Sequence, residues 1–407
     1  MSEVAHTPQL RFPEFIGEWD VTNFGNISSI KRGASPRPIS SPKWFDKDSS
    51  VGWVRISDVT KSKKYLKKTE QYLSEDGINR SRKVDKGNLI MSICATIGKP
   101  IYTNFNVCIH DGFIVFDSLS EDKGFIYYLL EKIQKKWYRY GQPGTQVNLN
   151  SDIVSSEIFS IPTKPEQQKI AAFLAAVDSK IEQLSKKQAL LGEYKKGLMQ
   201  QIFSQAIRFK ADDGSEFPDW EDNTIDKALH SYKLGGNYSN SEAVTDYPLI
   251  KMGNLDRGNI KLNKLQYINT EENIDDSDKI NYGDLFFNTR NTLDLVGKVA
   301  IWRDELPCAY YNSNLMKMEF SDNFFMNYRF NSFDGIKALR RVATGTTSVA
   351  AIYTKDLLKI KFSLPTLSEQ QKIANFLSSI DTKIEQAGKQ LDESKQFKKA
   401  LLQQMFV

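Results

Sequence analysis

Cationic and amide side chains occur in short runs at several places along this 407-residue chain. The runs are KSKKYLKK (61–68), NRSRK (79–83), KWYRYGQPGTQVN (136–148), NTRNT (288–292) and LRRVATGTT (339–347). Lysine and arginine neutralise phosphates and read guanine edges, whereas asparagine and glutamine can pair with adenine. The chemistry that these residue types could perform is therefore the recognition of a nucleic acid.

A single charged run is usually a solvated surface, so such runs are evidence for nucleic-acid binding only where they recur. The runs occur in both halves of the chain beside loops rich in glycine and threonine, which favours binding. The candidate contacts to DNA are Lys31, Arg32, Lys61, Lys63, Lys64, Arg80, Arg82, Lys83, Arg139, Gln142, Gln146, Asn148, Asn288, Arg290, Asn291, Arg340, Arg341, Thr346 and Thr347.

Catalytic motifs are absent from the sequence. It contains no GxGxxG or GxxxxGK[ST] phosphate loop, no His-Glu-x-x-His, and no Pro-Pro dipeptide of the kind found in amino methyltransferases. Three cysteines without CxxC spacing and three histidines argue against structural zinc and a disulfide framework. We expect a chain that catalyses nothing and that itself holds no metal or cofactor.

The charge is spread unevenly over the chain. The net charge is +5, with 22 Lys and Arg against 18 Asp and Glu in residues 1–159, but 20 against 23 in residues 207–362. This excludes a uniformly basic protein that coats DNA and leaves room for local basic faces. Apolar runs are too short to cross a bilayer, and the start MSEVAHTPQL has no signal pattern, so we expect a cytoplasmic protein without membrane contact.

A long internal repeat supplies the elements that would position these residues. PEQQKIAAFLAAVDSKIEQ (165–183) returns 203 residues later as SEQQKIANFLSSIDTKIEQ (368–386). Residues 160–203 align with 363–406 without a gap, and about half of the pairs are identical. Thr163 with Glu166, and Thr366 with Glu369, have the spacing of a capping box, which predicts that a helix begins at the same place in both copies.

The interior of both copies follows a heptad pattern. This pattern predicts a helix of roughly 57 Å in each copy and pairing of the two as a coiled coil. Lys195 and Lys398 interrupt the apolar seam at equivalent positions. The residues predicted to form the seam and to dock partners are Ile170, Val177, Ile181, Leu184, Leu191, Leu198, Ile373, Ile380, Ile384, Leu391 and Leu401.

The stretches before each long helix also correspond, and they contain strands and turns. LRFPEFIGEW (10–19) opens the chain, and the related IRFKADDGSEFPDW (207–220) follows the first long helix. Antiparallel pairing of the helices would bring the end of the chain back beside its start. The predicted fold is α+β, with two mixed α/β globules, two long helices in an antiparallel coiled coil, and a pseudo-twofold repeat. We place the boundaries at 1–160, 161–206, 207–362 and 363–407.

These features resemble the specificity subunit of type I restriction–modification systems. The matching features are the two RFP…W-type openings, IPTKPEQQKI (161–170) and LPTLSEQQKI (364–373). The resemblance covers essentially the whole chain. It implies two target-recognition domains that each read one half of a bipartite, asymmetric site in double-stranded DNA, and a coiled coil that sets the spacer.

The resemblance also implies the partners. Two modification subunits would bring S-adenosylmethionine and methylate adenine, and restriction subunits using ATP and Mg would cut unmodified DNA. This chain would need no cofactor of its own.

Two other classes of protein stay open at this point: an enzyme that acts alone on DNA, and a coiled-coil scaffold without nucleic acid. A cofactor motif would favour the enzyme, and the lack of any salt-dependent binding to DNA would favour the scaffold. The two repeats also differ at one aligned position, with Cys94 in the first and Arg290 in the second. We predict that Arg290 contacts DNA and that Cys94 does not.

Overall fold

The chain forms two compact units. The computed structural model describes residues 7–140 and 149–407. Unit 1 comprises Met1–Lys186 and Gly388–Val407, and unit 2 comprises Lys187–Ala387. Each unit therefore contains one globule, the first part of one long helix and the last part of the other, so that the units cut across the four segments predicted from the sequence.

The globule of unit 1 is built from short strands and helices. The strands are β1 (Asp20–Asn23), β2 (Ser29–Arg32), β3 (Gly52–Val54), β4 (Tyr65–Leu66), β5 (Gln71–Tyr72), β6 (Arg82–Val84), β7 (Leu89–Ser92), β8 (Pro100–Thr103), β9 (Val107–Ile109), β10 (Phe113–Asp117) and β11 (Ile158–Ile161). The helices are α1 (Phe24–Ile27), α2 (Ile56–Lys61), α3 (Glu75–Asn79), α4 (Lys123–Ile133), α5 (Ser151–Ser156) and the long α6 (Lys164–Phe203), with 3-10 turns at Pro42–Trp44 and Gln134–Tyr140.

Unit 2 repeats this plan. Its strands are β12 (Glu221–Thr224), β13 (Leu229–Leu234), β14 (Asn240–Ser241), β15 (Pro248–Ile250), β16 (Gln266–Ile268), β17 (Leu285–Asn288), β18 (Arg290–Asn291), β19 (Val299–Ile301), β20 (Tyr310–Tyr311), β21 (Leu315–Phe320), β22 (Thr344–Gly345), β23 (Ala350–Ala351) and β24 (Lys361–Leu364). The helices are α7 (Ile225–Ala228), α8 (Asn323–Asn331), α9 (Phe333–Val342), α10 (Thr354–Leu357) and the long α11 (Leu367–Gln404), with a 3-10 turn at Asp276–Asp278.

The sheets show the duplication more clearly than the sequence does. Strand order β2-β10-β7-β8 in unit 1 corresponds to β13-β21-β17-β19 in unit 2, and β5-β3-β9 corresponds to β16-β15-β20. In both units one equivalent pair of strands is parallel, β3 with β9 and β15 with β20, and unit 1 has a further parallel pair, β4 with β8. A two-stranded ribbon, β1-β11 or β12-β24, leads into each long helix.

The central strands are continuous apolar runs because both faces are covered. In β7, Leu89 and Met91 enter one core, whereas Ile90 between them enters another. In β17, Leu285 and Phe287 share a core, and Phe286 belongs to a second one. Successive side chains of a strand point to opposite faces, so a strand that is covered on both sides loses the polar alternation of a half-exposed strand.

The long helices pack antiparallel in each unit. In unit 1, Ile170 from the start of α6 shares a core with Leu401 from the end of α11, and in unit 2 Ile202 from the end of α6 shares a core with Ile373. Both cores include side chains of the globule as well, so the helices are part of the folded units. The α+β fold with paired long helices is thus confirmed.

The chain's opening segment lies against the end of α11. The N–H of Leu10 donates to the carbonyl oxygen of Gln404 at 2.8 Å, and the N–H of Ile207 donates to that of Gln201 at 3.2 Å. Gln404 and Gln201 are equivalent positions of the repeat. The segment that opens the chain therefore packs on α11 as residues 207–220 pack on the helix that they follow, as the repeated opening predicted.

The long helices begin at the equivalent positions Lys164 and Leu367, as predicted, but the capping-box contacts predicted for Glu166 and Glu369 are wrong. The carboxylate of Glu166 accepts two hydrogen bonds from the Arg11 guanidinium, both at 2.8 Å. The Glu369 carboxylate likewise accepts bonds from Arg208 at 3.1 and 2.9 Å and from the indole N–H of Trp220 at 3.1 Å. A buried carboxylate is stabilised more by a guanidinium than by one backbone N–H, so the pairing with arginine prevails.

Candidate nucleic-acid interface

Two of the predicted segments meet in unit 2. Strand β18, which holds Arg290 and Asn291, pairs with β23, and β22 lies on the other side of β23. The N–H of Leu293 donates to the carbonyl oxygen of Thr347 at 3.2 Å. NTRNT and the end of LRRVATGTT thus form one small three-stranded sheet, although they are far apart in the sequence.

The surface of this sheet combines charge with apolar groups. Arg290, Arg340, Arg341, Thr346 and Thr347 are exposed, and none of the three arginines forms an ion pair within the described part of the chain. Val349, at the tip of the hairpin between β22 and β23, is 69% exposed. Exposed guanidinium groups beside hydroxyl groups are suited to contact phosphates and base edges.

Asn288 takes a different role from the one predicted. Its side chain is fully buried at the end of β17, and its Oδ1 accepts a hydrogen bond from the N–H of Arg290 at 3.2 Å. A buried amide cannot reach a base without rearrangement of the loop. Asn288 therefore orients the backbone that presents Arg290, and its prediction as a direct contact is corrected.

Arg257 was missed by the sequence analysis. It lies half-buried in the loop after β15, and its Nη2 donates to the carbonyl oxygen of Asp294 at 3.5 Å. Burial, followed by the nearby charge of Arg340, lowers the pKa of Arg257. The two guanidinium groups repel each other beside an exposed surface. A phosphate bound there would offset this repulsion. Only the fold brings them together, so no local pattern indicated this pair.

Several of the residues predicted to contact DNA in unit 1 also lie close together. The Nε of Arg82, on β6, donates to the carbonyl oxygen of Arg32, on β2, at 3.2 Å, so these two predicted residues lie together. Lys31 forms an exposed ion pair with Asp117 at 2.5 Å. Arg80, directly after α3, and Lys83, on β6, are exposed. Cys94 is half-buried, and burial raises the pKa of its thiol.

The run KSKKYLKK divides into different environments. Lys61 pairs with Glu70 at 2.6 Å, and Lys63 is exposed. Lys64 is turned inward, with its Nζ 2.8 Å from the hydroxyl of Tyr128, and burial lowers its pKa. We therefore correct the prediction of Lys64 as a surface contact.

This run borders a cleft of about 850 Å³ within unit 1. The opposite wall includes Asp178, Ser179 and Ile181 of α6. The cationic run thus faces a long helix across the cleft.

Arg139 is held by protein groups. It pairs with the buried Glu157 at 2.5 Å and stacks on the ring of Tyr140 at 4.9 Å from its centroid. An arginine that compensates a buried carboxylate is not available for DNA unless that pair is broken. Gln142, Gln146 and Asn148 lie outside the described residues.

The predicted seam residues lie on the inner faces of the long helices. Ile170, Leu184, Ile373, Ile380, Leu391 and Leu401 are buried, and Val177, Ile181, Leu191, Leu198 and Ile384 are half-buried. The buried residues of this set hold the helices within the units and present no surface to a partner. The prediction that these same residues dock partners is corrected to this extent.

Exposed aromatic side chains occur elsewhere on the long helices. Tyr194 on α6 is 56% exposed and Phe397 on α11 is 52% exposed, and the two occupy the same position of the repeat.

Neither a metal site nor a membrane span is found among the residues that the structure describes. Across residues 7–140 and 149–407, no group of three histidine, cysteine or acidic side chains is placed to hold a metal ion. Within the same ranges, neither long helix has an apolar stretch sufficient to span a bilayer.

A family model for the type I restriction modification DNA specificity domain matches the chain twice, at residues 16–191 and 230–393. The chain belongs to this family. Each matched copy of the specificity domain contains most of one globule and most of the long helix that follows it. The duplicated frame of the fold and the two family matches therefore coincide.

Similar proteins carry the same description. The chain is 24% identical over 420 aligned positions to the type I restriction enzyme MjaVIII specificity subunit of Methanocaldococcus jannaschii, covering 97% of this chain and 92% of that protein. It is 25% identical over 213 positions to the putative MjaX specificity subunit of the same organism, where the match covers 50% of this chain and 49% of that protein.

Solved structures share the fold of this specificity-domain protein. The S subunit of a type I restriction–modification system from M. genitalium has a TM-score of 0.61 at 14% identity, covering 98% of this chain and 99% of that one. A chain from a study of complex assembly and conformational transition of the type I system has a TM-score of 0.54 at 15% identity, covering 94% and 96%. At such identities the similarity concerns the fold.

Proposed function

We propose that this chain is the DNA-recognition subunit of a type I restriction–modification complex, in which each globule reads one half of a bipartite, asymmetric site. The observation that carries this proposal is that the two globules share one scaffold but differ in their side chains at aligned positions. Arg290 stands at the position that Cys94 occupies in the first repeat. Two readers with the same scaffold but different surfaces would recognise two different half-sites.

The chemistry belongs to partner subunits in this proposal. Two modification subunits with S-adenosylmethionine methylate adenine, and restriction subunits with ATP and Mg cut DNA that is not modified. The chain contributes sequence recognition only, in keeping with a sequence that has no cofactor motif. The two copies of the long-helix sequence offer two equivalent surfaces, which suits two copies of the modification subunit.

Mapping of DNA methylation tests the proposal. The chain is expressed with the modification subunits encoded with it in cells that lack other adenine methyltransferases, and methylated adenines are mapped over the genome. We expect one motif with two specified halves separated by a spacer of fixed length. A complex that assembles but methylates no defined motif, or a motif without a spacer, would contradict the proposal.

The two alternative classes give different results with the purified chain. An enzyme that acts alone would bind S-adenosylmethionine in a calorimetric titration, and we expect no binding. A scaffold without nucleic-acid function would show no affinity for DNA that falls steeply with salt. We expect such a fall, because phosphate contacts release counterions.

A further inference from the structure

The two lysines that interrupt the heptad seam occupy the same environment in both units. In unit 1, Lys398 on α11 contacts Asp178 on α6, with Nζ and Oδ1 2.8 Å apart. In unit 2, Lys195 on α6 contacts Asp381 on α11 at 2.5 Å. Asp178 and Asp381 are equivalent positions of the repeat, as are the two lysines. Each pair joins the two long helices across their seam.

A tyrosine from each globule completes the arrangement. The hydroxyl of Tyr128, on α4, donates to Oδ2 of Asp178 at 2.7 Å, and the hydroxyl of Tyr328, on α8, donates to Oδ2 of Asp381 at 2.7 Å. Each lysine also lies over the ring of its tyrosine, at 5.4 Å for Lys398 and 5.0 Å for Lys195. Each Tyr–Asp–Lys triad therefore ties together three segments: two long helices and one helix of the globule.

The residues around the two triads differ, so the Tyr–Asp–Lys contacts are the part that both units have in common. In unit 1, Glu131 also accepts from Lys398, and Lys64 also bonds to Tyr128. In unit 2, Ser378 and Arg303 take the neighbouring positions around Tyr328 and Asp381.

The triads are poorly exposed, and their burial is what makes them selective for one register of the two helices. The side chains of Lys398 and Lys195 are 14% and 19% exposed. A buried ion pair adds little stability over apolar residues of the same size, but a buried charge left without its partner is strongly destabilising. A polar residue at a core position of a coiled coil is known chiefly to specify register. Helices that slipped along each other would leave a lysine and an aspartate unpartnered.

We propose that the two Tyr–Asp–Lys triads are positioning residues, which fix the register of the helix segments and the seating of the globule in each unit and thereby restrict the complex to one spacer length. This inference rests on the proposed function. It assigns the selection of the spacer to six named side chains in addition to the length of the helices.

Methylation mapping with triad variants tests the inference in the assembled methyltransferase. The variants are Lys398→Met and Lys195→Met, which keep the length of the side chain and remove its charge. Lys399→Met is the matched control, because Lys399 is the exposed neighbour of Lys398 and forms no ion pair within the described residues. The readout is the share of methylated sites whose two half-sites are unchanged but whose spacer differs from that of the wild type.

We expect one spacer length for the wild type and for Lys399→Met. For each triad variant, the share of sites with another spacer should rise roughly tenfold, the ratio that corresponds to about 1.4 kcal/mol of lost discrimination. Triad variants that methylate with the single wild-type spacer would overturn the inference. Absence of a bipartite motif in the wild type would instead overturn the proposed function, so the two failures are distinguishable.

A milder pair of variants covers the case in which a methionine variant does not fold. Tyr128→Phe and Tyr328→Phe remove only the hydroxyl that links globule to helix and leave both ion pairs in place. Relaxed spacing in these variants, with an unchanged melting temperature, supports the inference. Unchanged spacing in both of them overturns the part assigned to the seating of the globules.

Discussion

Arg290 shows how a single residue of the interface is made available. It lies on an edge strand of the small sheet in unit 2, its backbone is held by the buried Asn288, and its guanidinium is exposed. A rigid backbone lowers the entropy that the side chain must lose on binding. Among the predicted contacts it is the one whose setting best suits base or phosphate recognition.

Replacement of Arg290 by alanine should therefore weaken binding to the methylated motif by about 1–3 kcal/mol, the usual contribution of a good contact to a base edge. Fluorescence anisotropy with a duplex that contains the motif measures this change. Lys227→Ala, at an exposed lysine on α7, is the control for lost positive charge. Cys94→Ala should leave the affinity unchanged. Equal binding by Arg290→Ala would contradict the assignment.

His110 offers a test of stability against pH. Burial lowers its pKa below the ordinary value, and its Nδ1 accepts a hydrogen bond from the N–H of Gly112 at 2.8 Å, which requires the neutral ring. Below a pH of about 6.5 the unfolded chain binds this proton more readily than the folded one, so the free energy of unfolding should fall as the pH falls.

His110→Asn keeps an acceptor near the N–H of Gly112 and removes the titrating ring. Urea unfolding at pH 7.5 and 5.5 should show a smaller loss of stability in this variant than in the wild type. The same loss in both proteins would exclude His110 as the source.

At the scale of elements, the start of each long helix is locked by a buried carboxylate. The Glu-Gln-Gln-Lys-Ile motif supplies Glu166 or Glu369 to an arginine of the preceding or opening segment. The next residue has a repeated role too, since the side-chain N–H of Gln167 and of Gln370 donates to the carbonyl oxygen of Pro162 and of Pro365, both at 2.8 Å. The motif is therefore explained by packing inside each unit.

Arg208→Met should destabilise unit 2 by about 3–5 kcal/mol, because it leaves the Glu369 carboxylate, which is fully buried, without its guanidinium partner. Thermal or urea unfolding measures the loss. Lys210→Met is the matched control, since Lys210 and Glu216 form an exposed pair whose removal should change stability far less than loss of the buried pair. Equal effects of the two substitutions would show that the buried pair is not important for stability.

At the scale of the whole molecule, the chain uses one plan twice and varies it at the surface. The order of the core strands is the same in both units, and the triads and the Arg–Glu pairs recur with the same atoms in contact. Arg290, by contrast, has no cationic counterpart in the first repeat, where Cys94 stands. Repeated elements thus carry stability and geometry, and the differing stretches are left to specify sequence.

Exchange of residues 207–362 for the corresponding stretch of a relative with another target should therefore change one half of the methylated motif. The other half and the spacer should stay as they are, because the first globule and both long helices are retained. Methylation mapping of the hybrid provides the measurement. A hybrid that assembles and changes both halves would contradict the division of the site between two globules.

The sequence by itself determined the duplication, the two long helices and their antiparallel pairing, because heptads and repeats are local patterns that survive without knowledge of the fold. The same patterns placed Arg290 and the loop at 344–347 among the candidates. They could not show that Asn288 is buried behind Arg290 or that Lys64 points to Tyr128.

Only the tertiary structure decided which charges are engaged and which are exposed. Lys398 forms ion pairs with Glu131 and Asp178, which are both distant from it in the sequence, and the charge of Arg340 contributes to the lowered pKa of Arg257. Burial and ion pairing depend on contacts between residues that are distant in the sequence, and the cost of an unpartnered charge is set by those contacts. For that reason a run of lysines in the sequence predicts only a charged surface. The fold determines which of these lysines are exposed to solvent and which form ion pairs within the protein.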